Sequence, residues 1–140
     1  MLVKQKSKLD LPDEIRALQP LTPAVFYTLF ALANGEKHGY AIMQSVKGLS
    51  NDSIRMGPGT LYTTIQRLLK LDLIEEITPP KRAQESERRR RVYRLTGWGR
   101  RVFDEEVSRL GAVLRQVRLS NLIPRGGEAR SAHKFLPAHP

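Results

Sequence analysis

"MGPGTLYTTIQRLLKLDLI" occupies Met56–Ile74 and holds two helix faces of opposite character. Pro58 suits a first helical turn, and Gly57 before it is an acceptable N-cap. At about 100° per residue, Leu61, Ile65, Leu68 and Leu69 fall on one side of this helix. Thr60, Thr63, Arg67 and Lys70 fall on the other, flanked by Thr64 and Gln66. Asp72 stands where the chain must leave the helix, and Asp tolerates left-handed backbone there. One face belongs to a core and the other offers hydroxyls and cations. An ordinary solvated helix shows the same pattern, so the neighbouring segments decide its meaning.

Upstream, "LDLPDEIRALQP" admits a short helix opened by Pro12 and Asp13 and ended before Pro20. Thr22 is a good N-cap, Pro23 fits the first helical position, and Asn34-Gly35 makes a left-handed stop. Between them "AVFYTLFALA" is apolar nearly all round, which predicts a helix central to the core. "HGYAIMQSVKGL" predicts the next helix, with Tyr40, Met43 and Val46 at inward spacing.

Downstream, "LIEEIT" reads as a strand and "RVYRLT" as its returning partner. The connecting "PPKRAQESERRR" is too long and too charged for a tight hairpin. Three helices followed by a two-stranded hairpin is the order of a winged helix-turn-helix. The fold class expected is therefore mainly α with a small β-hairpin, plus one long C-terminal helix capped by Thr96. Four stretches follow: an N-terminal arm and short helix at 1–20, a winged helix-turn-helix at 21–96, a dimerisation helix at 97–123, and a tail at 124–140. The tail has no apolar period and is expected to be disordered.

Charge points the same way. The chain of 140 residues carries a net charge of +10, which favours a polyanionic partner. Between Lys81 and Arg101 lie nine basic residues against Glu85 and Glu87, so this segment holds seven of the ten net charges. Arg88, Arg89, Arg90 and Arg91 are consecutive and repel one another, an arrangement suited to phosphates. The chain has no cysteine, one histidine (His38) outside the tail, and no paired acids in a cleft-forming pattern. No catalytic set, metal site or cofactor is expected, and His133 and His139 have no further ligands near them. No apolar run approaches the ~20 residues needed to span a bilayer, and "MLVKQKSKLD" lacks a signal-peptide apolar region. A cytoplasmic protein without membrane contact is expected.

In the last helix Phe103, Val107, Leu110, Leu114 and Val117 recur at spacings of 4, 3, 4 and 3, an a/d seam. A single domain also needs one such stripe for its own core. The seam covers only about two heptads, too few for a stable coiled coil alone.

The motifs "HGYAI" (His38–Ile42), "GPGTLY" (Gly57–Tyr62), "LDLIEE" (Leu71–Glu76) and "RRVYRLTGWGRR" (Arg90–Arg101) stand in order at compatible spacing. Together they resemble the PadR family of bacterial transcriptional regulators, over about Leu21 to Val117. The resemblance implies a winged-helix repressor, dimeric through its C-terminal helix, that binds palindromic operators in double-stranded DNA. It also implies a small aromatic effector for some members. The chain departs from the family at Thr63, where Pro is common after the Leu-Tyr pair, at Asp72, where Gly is common, and at Gly57, where Ser is common.

On that reading Thr60, Thr63, Thr64, Gln66 and Arg67 face base edges, and Arg67 pairs with a guanine. Lys70 meets phosphate. Lys81, Arg82 and Arg88–Arg91 form a wing that holds phosphates or the minor groove. The Tyr62 ring is expected to pack inward at the edge of the buried face. The resemblance implies that its hydroxyl touches the DNA backbone, and a purely structural tyrosine is the alternative. Trp98 reads either as a stacking platform for a ligand or as a plug packing the helix start against the hairpin. Two rivals to DNA binding stay open: an adaptor whose basic wing docks an acidic protein, and an RNA-binding module.

Overall fold

Thr22 begins the first long helix as its sequence predicts: its hydroxyl accepts from the Val25 N–H at 3.3 Å, with Pro23 behind it. The computed structural model describes residues 12–77 and 91–122. Within them run α1 (Asp13–Arg16), α2 (Pro23–Ala33), β1 (Lys37–His38), α3 (Gly39–Leu49), α4 (Pro58–Lys70), β2 (Ile74–Ile77), β3 (Val92–Leu95) and α5 (Gly97–Leu119). Residues 1–11, 78–90 and 123–140 lie outside the described residues, and with them the expected disorder of the tail at 124–140.

Helix α2 stops at Gly35, whose φ of +137° is one that side chains rarely adopt. The stop at Asp72 is also as expected, with φ +60°. Its N–H donates to the Leu69 carbonyl at 3.0 Å and that of Leu73 to Leu68 at 2.9 Å, which satisfies the last carbonyls of α4. The chain thereby enters β2 with Leu73 and Ile74 both buried.

The sheet has three strands in the order β1-β3-β2, all antiparallel, where the sequence predicts two. Ile74 pairs with Leu95 and Ile77 with Val92, and on the other edge of β3 Lys37 pairs with Tyr93. The extra strand arises because the chain must run extended from Gly35 to α3. Lys37 anchors it by donating from Nζ to the carbonyls of Ala31 at 2.8 Å and Gly35 at 3.2 Å. Two residues show no periodicity, so β1 leaves no trace in the sequence pattern.

Leu29 of α2, Ile42 and Val46 of α3, Leu61, Ile65 and Leu68 of α4, and Tyr93 of β3 meet in one core. The expected inward role of Tyr40 is corrected: it is 64% exposed. Ile42 and Val46 define the buried line of α3, and Tyr40 lies two residues, about 200° around the helix, from Ile42.

The start of α5 is locked to the hairpin. The Thr96 hydroxyl accepts from the Gly99 N–H at 3.1 Å and donates to the Asp72 carbonyl, while the Thr96 N–H donates to Leu73 at 3.1 Å. A Cβ on Gly99 would overlap the Leu73 carbonyl, so only glycine permits this approach. Trp98 is half-buried against the core, with the Arg101 guanidinium 5.4 Å from its ring centroid.

The chain divides into two compact units, residues 1–106 and 107–140. The first turns of α5 therefore pack with the winged domain. Val102 is fully buried there, and Phe103 stacks on Phe26 at 5.7 Å with Phe30 at 5.6 Å. Glu106 is 2% exposed, and its Oε2 accepts from the Leu21 N–H at 2.9 Å, joining residues 85 positions apart. In the second unit four apolar residues of α5 lie open: Val107, Leu110, Val113 and Leu114 are each between 41% and 49% exposed.

Candidate nucleic-acid interface

Helix α4 owes its orientation to Leu61, Ile65 and Leu68, all at 1% exposure or less. With that stripe fixed inward, Thr60, Tyr62, Thr63, Gln66, Arg67 and Lys70 are exposed. Among the described residues no carboxylate pairs with Arg67 or Lys70. Gly57 supplies no side-chain cap, and the spaces beside Gly57 and Gly59 are empty, so the N-terminal turn can be approached at backbone distance.

Two expectations for this helix are corrected. Thr64 is buried at 7% exposure and does not belong to the outward row. It follows Leu61 by three positions and precedes Leu68 by four, which puts it on the inward stripe. The Tyr62 ring does not pack inward: the residue is 59% exposed.

Tyr62 instead helps line a hollow of about 620 Å³ with Gln66, His38, Tyr40, Arg91 and Tyr93. The hollow joins the outer face of α4 to the start of α3 and the root of the wing. Its rim carries phenol hydroxyls from Tyr40 and Tyr62, donors of the kind that hold phosphate oxygens. Tyr40 is the residue that sequence reasoning missed here. Its place in the "HGY" motif, rather than its apolar spacing, was the available signal.

The wing root is described through Arg91, Arg94 and their partners. Arg91 stands 3.7 Å from Glu76 and Arg94 3.4 Å from Glu75, both pairs largely solvent-exposed. Such pairs contribute about 0–1 kcal/mol and yield readily to a phosphate. Lys81, Arg82, Arg88, Arg89 and Arg90 lie outside the described residues. Beneath the root, burial pushes the Tyr93 phenol above its ordinary pKa, helped by the Glu76 carboxylate and opposed by Arg91.

Of the expected seam on α5, Val107, Leu110 and Leu114 are exposed and Val117 is half-buried. Phe103 is engaged by Phe26 and Phe30 within its own unit. Among the described residues no group of three or more His, Asp or Glu is placed to hold a metal ion. The arrangement is that of a helix with an exposed polar and cationic face, beside a strand pair on which Arg91 and Arg94 are matched by Glu76 and Glu75.

Known proteins share this fold. The solved structure of a transcriptional regulator from Clostridium thermocellum matches with a TM-score of 0.54 at 20% identity, covering 79% of this chain and 96% of that one. A PadR family transcription regulator from Clostridium difficile matches at 0.58 with 17% identity, over 70% of this chain and 97% of its own. Bordetella bronchiseptica BpsR, whose DNA binding is regulated by 6-hydroxynicotinic acid, matches at 0.56 with 23% identity, over 90% and 80%. An uncharacterized 37.1 kDa protein of a Streptomyces fradiae transposon is 35% identical over 83 residues, 59% of this chain. The chain spans about a fifth of the length of that curated relative, 21%. The model of the transcriptional regulator PadR-like family matches residues 28–105, more than half of the chain and all of α3, α4 and the wing strands. With that match laid over a winged helix whose third long helix faces outward, the chain belongs to the PadR-like family of DNA-binding transcriptional regulators.

Proposed function

We propose that the protein is a repressor that binds a palindromic operator in double-stranded DNA as a homodimer. The observation that carries this reading is the outward row of α4, whose Arg67 and Lys70 are exposed and unpaired among the described residues while the opposite face is fully buried. Thr60, Thr63, Gln66 and Arg67 read base edges, with Arg67 bidentate to a guanine and Gln66 suited to an adenine. Tyr62, Lys70, Lys81, Arg82 and Arg88–Arg91 hold the backbone and fix the register. The winged domain at 21–96 makes these contacts, and the helix at 97–123 provides dimerisation.

Dimerisation is supported by Val107, Leu110, Val113 and Leu114, an exposed apolar row that a monomer would leave in water. Two copies related by a twofold axis present two recognition helices, which is why the operator is a palindrome. A small planar aromatic effector fits the likeness to BpsR. Quenching of the single tryptophan, Trp98, across a panel of such compounds tests this, and a panel without binders leaves an effector-free regulator.

The main reading is tested by titrating the protein with labelled duplex DNA, labelled RNA and an acidic polypeptide competitor. The expected result is tight duplex binding that survives the competitor and exceeds RNA binding. Preference for RNA, or loss of duplex binding to the polypeptide at equal charge, would contradict it.

A further inference from the structure

Thr63 stands on the outward row of α4, and its hydroxyl is already committed. Oγ1 donates to the Gly59 carbonyl one turn earlier, at 2.9 Å. A threonine bonded in this way has used its only donor on its own helix. With Oγ1 drawn back along the axis, the γ-methyl becomes the free end of the side chain. The residue is exposed, and the position one turn before it is a glycine with nothing within 4 Å of its would-be Cβ. The position one turn before it carries no side chain to shield that methyl.

We infer that Thr63 determines specificity through this methyl, by apolar contact with the 5-methyl group of a thymine in the major groove. The inference rests on the DNA-binding reading above and names the chemistry of one contact within it. Apolar contact between a threonine methyl and the thymine methyl is an established mode of base discrimination, separate from hydroxyl hydrogen bonding. The geometry also places the thymine. Arg67 lies one turn further along the same face, about 6 Å along the helix axis, and stacked bases rise about 3.4 Å per step. The thymine therefore falls within about two base pairs of the guanine that Arg67 contacts.

The test is a uracil scan. In the best duplex from a random-pool selection, each thymine is replaced in turn by uracil, which removes the 5-methyl and keeps the base pair. For the wild type, one thymine per half-site should show binding weakened about fourfold, the worth of one methyl-sized contact. Thr63→Val keeps the methyl and discards the hydroxyl, so it should retain that loss. Thr63→Ser keeps the hydroxyl and discards the methyl, so it should bind the thymine and uracil duplexes alike. A wild type that binds tightly yet is indifferent to uracil at every position overturns the inference and leaves DNA binding intact. So does a valine variant that loses the discrimination, or a serine variant that keeps it, since either assigns the contact to the hydroxyl or to another residue. A protein that enriches no duplex at all overturns both readings.

Discussion

At Gly99 one added methyl group would strike the backbone of Leu73, which has no freedom to retreat because Thr96 is hydrogen-bonded to it. Gly99→Ala is therefore expected to destabilise the winged domain by about 3 kcal/mol, read as a lowered denaturation midpoint. A variant that melts like the wild type would mean that α5 can slide on the hairpin. Tyr93 carries a second prediction at this scale. Its phenol pKa is raised by burial, so the folded state favours the protonated form. That contribution is fully present below the unfolded tyrosine value near 10 and is lost as pH rises through the folded one. Tyr93→Phe should flatten the fall in stability above about pH 10, and an unchanged alkaline limb would refute the assignment. Single residues were also where the sequence read least well. Thr63 and Thr64 are adjacent and chemically identical, yet one is exposed and the other buried. Only the exact phase of the helix, fixed by Leu61 and Leu68 together, separates them.

Helices and strands were more legible, because their ends are written in local chemistry. Thr22, Asp72 and Thr96 each do what their residue types predict, since a cap or a left-handed stop depends on few neighbours. Strand β1 escaped because two residues carry no period, and its pairing with β3 is a tertiary event. The face of α3 that is buried escaped for a related reason: Tyr40 is apolar enough to pass for core, and only the packed structure shows that Ile42 and Val46 suffice. Division of labour between α4 and the wing is the prediction that belongs here. Arg67→Ala should cost about 1–3 kcal/mol on the best site and relax the preference at one base position. Replacing Arg88–Arg91 by Ala should weaken all duplexes alike and reduce the log–log salt slope by up to about one unit per lost phosphate contact. Filter-binding titrations at several salt concentrations check both. An unchanged slope in the wing variant, or uniform weakening in the helix variant, would reverse the assignment.

For the whole molecule the decisive property is the number of recognition helices it presents. The seam on α5 was legible as a period, while the engagement of Phe103 by Phe26 and Phe30 was not, because that contact joins segments far apart in sequence. Val107, Leu110, Val113 and Leu114 remain exposed, the row proposed to meet a second copy. Leu110→Lys places a charge in the middle of that row, where burial without a partner costs about 3–5 kcal/mol. Light scattering should find the variant monomeric and the wild type dimeric, with operator affinity reduced about a hundredfold through lost avidity. A variant that stays dimeric puts the interface elsewhere. The central claim, that this chain reads a specific DNA sequence as a symmetric pair, is tested most directly by selecting DNA fragments from a random pool with the purified protein and sequencing them. The account predicts an enriched palindrome whose half-site centres lie about 10 base pairs apart, or a multiple of that. A pool that shows no enrichment, or a single unpaired site, would contradict it.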